Sequence, residues 1–136
     1  MNLSRYYLLI FCFLIFIGCT TYHLTTQSLL EQFANSNPEQ KNIFFIAPPF
    51  FLAGSVNGNS LRTIRCFDKD EKEHFIGVDI RTGIRITKRD STTSTFYFDT
   101  LIIKDSILTG SKTHFFGGWQ IKPIKLDDII KVEIMP

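Results

Sequence analysis

The stretch HFIGVDIRTGIRITKR (residues 74–89) alternates apolar and polar side chains in two segments, which a Thr-Gly pair at 82–83 separates. Alternation with a period of two is typical of a strand that buries one face. Because the Thr-Gly pair favours a turn, the stretch predicts two consecutive antiparallel strands. The side chains predicted to be buried are Ile76, Val78, Ile80, Ile84 and Ile86.

Turn signals recur through the rest of residues 43–136 at intervals of roughly 8–14 residues. This spacing favours an antiparallel meander or small barrel over βαβ units. We therefore predict a mainly β (α+β) fold of about six to eight strands over this range. The predicted turns include Asn57-Gly58, residues 68–73, residues 90–95 and Asp105-Ser106.

One short helix is predicted before the β domain. Leu29, Leu30, Phe33 and Ala34 follow helical spacing, and Thr25 or Thr26 can cap the start. We expect a helix over about Thr26 to Asn35 that docks on the domain through its apolar stripe. Residues 19–42 would then comprise an anchor, this helix and a polar connector.

Two aromatic segments are candidate recognition surfaces. IFFIAPPFF (residues 43–51) is broken by Pro48-Pro49, which ends one strand and begins another or marks an edge. HFFGGW (residues 114–119) places two glycines among aromatic side chains. Exposed aromatics would form a binding patch, but so small a domain needs its aromatics for burial, so we predict that both segments fold inward. The candidate partner-binding residues are Phe115, Phe116 and Trp119.

The C-terminal segment IKPIKLDDIIKVEI (residues 121–134) changes the phase of its apolar alternation at Asp127-Asp128. A one-turn kink there would let Ile129, Val132 and Ile134 reach the same core. Such an ending resembles the closing strand of small SH3-like barrels in bacteria. The resemblance covers about the last third of the chain and implies no catalytic motif.

The first residues have the composition of an export signal. Arg5 is the only charged residue among the first thirty, and an apolar run of 12 residues follows it. About 20 apolar residues are needed to span a bilayer as a helix. A positive residue, a shorter apolar run and then small residues are typical of a signal peptide.

The end of this run indicates a lipid anchor. FIGC (residues 16–19) resembles the lipobox of bacterial lipoprotein precursors. The resemblance implies removal of residues 1–18 as a signal peptide and acyl chains, such as palmitate, on Cys19. Thr20 stands where some families carry an inner-membrane retention aspartate, so the resemblance favours the outer membrane. The domain would lie outside the cytoplasm, and an uncleaved leader is the alternative hypothesis.

The charge of the chain limits which partners it can bind, and its cysteine content limits which disulfides it can form. Without residues 1–18 the chain keeps 118 residues, with 14 basic and 13 acidic side chains. This near-neutral balance argues against a nucleic-acid partner, which needs a clustered basic surface. Cys66 is then the only cysteine beside the anchor, so a disulfide framework within the chain is excluded.

Reactive side chains are few. Cys66 with His74 or His114 could form a thiol–imidazole pair or contribute to a metal site. A free cysteine more often acts as a small buried hydrophobe, and metal ligands usually occur at shorter spacing. We therefore predict no catalytic residue, no metal and no cofactor. We interpret Asp127-Asp128 as a pair of residues that favours a turn, not as a catalytic pair of carboxylates.

The function predicted from the sequence is a lipid-anchored cell-envelope protein, a non-catalytic binding or assembly module. Its partners would be the membrane, through the lipid on Cys19, and an envelope protein. The alternative is a small envelope enzyme that uses Cys66 with His74 or His114.

Overall fold

The computed structural model describes residues 20–115 and 119–136. Within them the chain forms one α-helix, eleven strands and two 3-10 helices. The predicted mainly β fold with one N-terminal helix is confirmed, although the strands outnumber the predicted six to eight. The elements are β1 (Tyr22–Leu24), α1 (Thr26–Phe33), β2 (Pro38–Ala47), β3 (Phe50–Asn59), β4 (Thr63–Phe67), β5 (Glu73–Gly77), β6 (Gly83–Lys88), β7 (Thr93–Tyr97), a first 3-10 helix (Phe98–Thr100), β8 (Ile102–Lys104), β9 (Ile107–Thr109), β10 (Ile124–Lys125), a second 3-10 helix (Leu126–Asp128) and β11 (Ile129–Met135).

The described strands form three antiparallel sheets. The central sheet has six strands in the order β5-β4-β1-β11-β6-β7, and β10, β9 and β8 form a second sheet. β2 and β3 pair with each other as a long hairpin.

The shortest strand of the central sheet was not predicted. Tyr22 pairs with Ile134 of β11, and His23 pairs with both Glu133 and Phe67, so β1 joins the two halves of the sheet. Three residues are too few to show alternation, which is why the sequence pattern misses this strand. The polar connector predicted before residue 43 is likewise shorter, because β2 begins at Pro38.

The core lies on the inner face of the central sheet. Ile84 and Ile86 of β6 are fully buried, as predicted, and Ile76 and Val78 pack at the border of the core. Ile80 is 53% exposed, so its predicted burial is wrong. β5 ends at Gly77, and Asp79 then forms a turn by accepting hydrogen bonds from the backbone of Arg81 and Thr82; alternation therefore stops before Ile80.

Helix α1 docks on the core through Leu29 and Phe33 of the predicted apolar stripe, whereas Leu30 and Ala34 are exposed. The hydroxyl of Thr25 accepts a hydrogen bond from the Ser28 N–H and caps the helix start. Leu29 is fully buried. Gln32 bonds the backbone N–H and C=O of Arg65 at 2.7 and 3.0 Å, and so occupies an edge of β4 that the short β1 leaves open.

The predicted C-terminal kink is confirmed. The second 3-10 helix precedes β11, and an irregularity in pairing with β6 falls between Ile129 and Lys131. The resulting change of phase buries Ile129, Val132 and Ile134 together.

The β2–β3 hairpin corrects one predicted turn. The chain reverses at Pro48-Pro49, joined by a cis peptide bond, as the break in the apolar run predicted. Asn57 and Gly58 instead lie inside β3, paired with Gln40 and Glu39, so the turn predicted there is wrong.

Among the described residues, none of the helices combines the length and the apolar character that crossing a membrane requires.

Candidate binding surface

The outer half of the hairpin carries apolar side chains on both of its faces. We call residues 43–53 the apolar tip. Directly paired residues of antiparallel strands share a face, so the pairs Ile46–Phe51 and Ala47–Phe50 place Ile46 and Phe51 on one face and Phe50 on the other. Phe44 lies with Ile46 on the first face, and Leu52 with Phe50 on the second.

These side chains are largely open to solvent. Their exposed fractions run from 39% for Leu52 to 72% for Ile46. The prediction that this segment folds inward is therefore wrong. The core is filled instead by aliphatic side chains from the central sheet, the second sheet and α1, together with Phe96 and Phe98.

The inner half of the hairpin is fixed to the domain by a buried amide. Val56 and Asn59 are each 3% exposed. The Asn59 Nδ2 group donates to the carbonyl oxygens of Phe98 and Leu101 at 2.8 and 3.0 Å. This interaction ties the end of β3 to the first 3-10 helix, and the tip projects beyond the attached part.

Two glycines let the hairpin lie directly on neighbouring backbone. A Cβ atom at Gly58 would overlap the carbonyl oxygen of Asp99, and one at Gly54 would overlap that of His114. Glycine is used where two backbones approach this closely. Gly58 therefore serves close packing rather than the predicted turn.

The backbone under the hairpin is held by a buried histidine–carboxylate pair. Nε2 of His114 lies 2.9 and 3.0 Å from the two carboxylate oxygens of Asp99. Both side chains are almost fully buried, and the Tyr97 ring lies over the imidazole with a centroid distance of 4.3 Å. This pair joins the first 3-10 helix to the loop that begins at His114.

The loop at residues 114–119 is exposed at its far end. Trp119 is 71% exposed, which corrects the predicted burial, whereas Phe115 is half-buried against Gly54. Phe116, the third candidate partner-binding residue, lies outside the described residues. A cleft of about 490 Å³ beside Trp119 includes Lys88, Lys112 and Lys122 in its lining, so its rim is basic.

Cys66 lies in a setting that keeps its thiol protonated. The residue is fully buried, and desolvation raises its pKa to about 11. Its Sγ donates to the backbone oxygen of His74 at 3.8 Å, while the His74 ring bonds Asp68 and the His114 ring bonds Asp99. A nucleophilic cysteine needs a low pKa and a neighbouring base, so this geometry argues against the enzyme hypothesis.

The remaining histidines pair with single carboxylates. His74 Nε2 lies 2.8 Å from Asp68, and His23 Nε2 lies 3.3 Å from Glu71. Within residues 20–115 and 119–136, no group of three or more ligating side chains converges as a metal site would require.

Asp68 organises the turn between β4 and β5. The hydrogen bond from the His74 ring is the main cause that lowers the pKa of its carboxyl group, and the N–H groups of Lys72 and Asp70 lower it further. A depressed pKa in the folded state stabilises the protein above the unfolded pKa of about 3.9. The stabilisation is lost as the pH falls through the folded-state pKa.

We expect Asp68→Asn to lower the melting temperature at pH 7, because the ionised carboxylate and its bonds are removed. The gap between wild type and variant should narrow below about pH 4 and close at lower pH, where wild-type Asp68 is also protonated. Melting curves from pH 2 to 8 measure this dependence. Asp70→Asn in the same turn is the control, and a gap that stays constant with pH would contradict the assignment.

Comparisons with known proteins return no relative: no family model matches the chain, and neither does any curated protein or solved structure at a significant level.

Proposed function

We propose that this chain is a lipid-anchored protein of the bacterial cell envelope and acts as a non-catalytic binding or assembly module. The observation that supports the binding role is the apolar tip of the hairpin. Ten large apolar side chains are exposed among the described residues, and five of them belong to this tip. Soluble surfaces rarely concentrate apolar side chains in this way unless the patch makes contact with something.

The structure of the hairpin supports a contact role further. Its inner half is fixed through Asn59, Gly58 and Gly54, so the exposed half is presented on a firm base. A preorganised element loses less conformational entropy on binding than a mobile loop does.

The proposed cellular location depends on the N-terminal residues 1–19. The FIGC motif at residues 16–19 supports acylation of Cys19, and Thr20 supports the outer membrane by the same resemblance. Cys19 lies outside the described residues. More than one acyl chain is required for stable anchoring, since a single chain binds only marginally.

The alternative function, an enzyme using Cys66, has less support. Its thiol is buried, its pKa is raised, and both candidate bases bond carboxylates instead.

The binding role predicts that the tip is covered in the intact envelope. We expect the thiol of Phe50→Cys to react more slowly with a polar maleimide in cells whose outer membrane is permeabilised than in the purified, unfolded chain without detergent. The ratio of the rate in the unfolded chain to the rate in cells is the protection factor of that position. Phe75→Cys on β5 is the matched control, because Phe75 is 66% exposed and Phe50 is 70% exposed. Cys66 is replaced by Ala in both variants, because it is buried in the folded protein but would react in the unfolded reference chain.

Mass spectrometry of the labelled protein over time gives both rates. A clear slowing at position 50 relative to position 75 is the expected result. Equal protection factors at the two positions would contradict a contact role for the tip.

A further inference from the structure

We propose that the apolar tip enters the interfacial layer of the bilayer that holds the lipid anchor, so that the protein contacts the membrane at two points. This inference rests on the proposed function, because it assumes that Cys19 is acylated. The proposed partner of the tip is lipid, rather than a groove on another protein or a second copy of the chain.

The first argument is the distribution of apolar side chains around the hairpin. Phe44, Ile46 and Phe51 cover one face, while Phe50 and Leu52 are exposed on the opposite face. A protein that binds one face of a hairpin leaves the other in water. Lipid surrounds an inserted element on all sides, so a tip that is apolar on both faces fits lipid better.

The second argument is the absence of charge. The sequence contains no charged residue between Lys41 and Arg62, a stretch that includes the whole tip. Charged side chains are expensive to move into a bilayer, and here none would have to move. Aromatic side chains are favoured at the level of the headgroups, although this preference is strongest for Trp and Tyr.

The third argument is the length of the tether. Only Thr20 and Thr21 separate the proposed lipid anchor from Tyr22, where β1 begins in the middle of the central sheet. Three residue steps span at most about 10 Å. An acylated Cys19 therefore holds the folded domain against the membrane surface, where contact with a further apolar element costs little additional entropy.

The backbone limits how deeply the tip can enter. β2 and β3 pair only with each other among the described strands, so their outer edges keep unpaired N–H and C=O groups. Such edges are excluded from the hydrocarbon core but are satisfied by water and headgroups. Five residues of strand reach about 17 Å, which allows the turn at Pro48-Pro49 to reach the headgroup and upper acyl region without spanning the bilayer.

Depth-dependent fluorescence quenching tests this inference on the lipidated, mature protein. Trp119 is replaced by Phe in every variant, and a single reporter is introduced as Phe50→Trp, Phe51→Trp or Phe75→Trp. The protein is reconstituted into phosphatidylethanolamine–phosphatidylglycerol vesicles that contain lipids brominated near the headgroup or deep in the chain. Phe50 and Phe51 report on opposite faces of the tip, and Phe75 on a surface outside it.

We expect both tip reporters to be quenched at least about twofold more than the Phe75→Trp reporter, and more by shallow than by deep bromines. Quenching at the tip that does not exceed the Phe75→Trp value would overturn the inference. The inference would also be overturned if the tip reporters were not quenched and their emission shifted further to the blue as the protein density on the vesicles increased. A second copy of the chain would then cover the tip.

The intact mass of the same preparation separates this failure from a failure of the proposed function. An acylated protein with unquenched tip reporters keeps the anchor and the binding role but removes lipid as the partner of the tip. A protein without acyl chains removes the premise on which both proposals depend.

Discussion

Replacing Asp99 with alanine is expected to destabilise the domain by about 3 kcal/mol, which corresponds to a fall in melting temperature of roughly 10 °C for a domain of this size. The carboxylate is 1% exposed and bonds the imidazole of His114 through both oxygens. Its removal leaves a buried ring nitrogen without a partner, and a buried polar group that loses its partner costs more than the bond contributed.

Two further variants distinguish the loss of the Asp99–His114 pair from a general loss of stability. Asp70→Ala removes an exposed aspartate and should change stability by less than about 0.5 kcal/mol. His114→Ala combined with Asp99→Ala should cost clearly less than the sum of the two single changes, because the pair is lost only once. Additive effects measured by urea unfolding would show that the two side chains do not act as a pair.

Replacing Gly58 with alanine is expected to cost about 2–3 kcal/mol. The added Cβ would overlap the carbonyl oxygen of Asp99, which belongs to the backbone and has little freedom to move. β3 would have to shift away from the first 3-10 helix, and that movement strains the bonds from Asn59 to Phe98 and Leu101.

Gly77→Ala provides the matched control for this change. Gly77 also lies in a strand, but a Cβ there meets no atom within 4 Å. Its replacement should leave stability unchanged or raise it slightly, since alanine restricts the unfolded chain. Equal losses for the two variants in thermal or urea unfolding would refute the role of Gly58 in close packing.

Local patterns predict the parts of this fold that depend on regular spacing. Alternation correctly identifies Ile84 and Ile86 as buried. The helical stripe correctly includes Leu29, which is buried, but it also includes Leu30, which is 37% exposed. The change of phase at Asp127-Asp128 correctly predicts the kink before β11. In each case the periodicity of one element determines which side chains face the core.

Contacts between distant segments are not visible in such patterns. The dipeptide Asn57-Gly58 has a strong local preference for a turn, yet Gly58 is required where β3 approaches the carbonyl oxygen of Asp99. Asp99 and His114 are 15 residues apart in sequence and match no motif, so their pairing appears only in the folded chain.

The exposed aromatic side chains illustrate a further limit of prediction from the sequence. Composition suggests that a small domain needs its phenylalanines for the core, but it does not show that aliphatic residues with only Phe96 and Phe98 make up the buried part of that core. The extension of the hairpin beyond its attached base, which leaves Phe44, Phe50 and Phe51 in solvent, follows from the pairing register of two long strands. The sequence pattern locates a break at Pro48-Pro49 but leaves open whether the chain turns there or the pair marks a sheet edge, so it does not determine that register.

The most direct test of the account is the mass of the N-terminal peptide of the mature protein, isolated from native membranes. Acylation of Cys19 would explain why an apolar run of 12 residues ends close to the FIGC motif at residues 16–19. The account predicts a chain that begins at Cys19 and carries the added mass of more than one acyl chain. A mature chain that begins at another residue, or an unmodified Cys19, would contradict it.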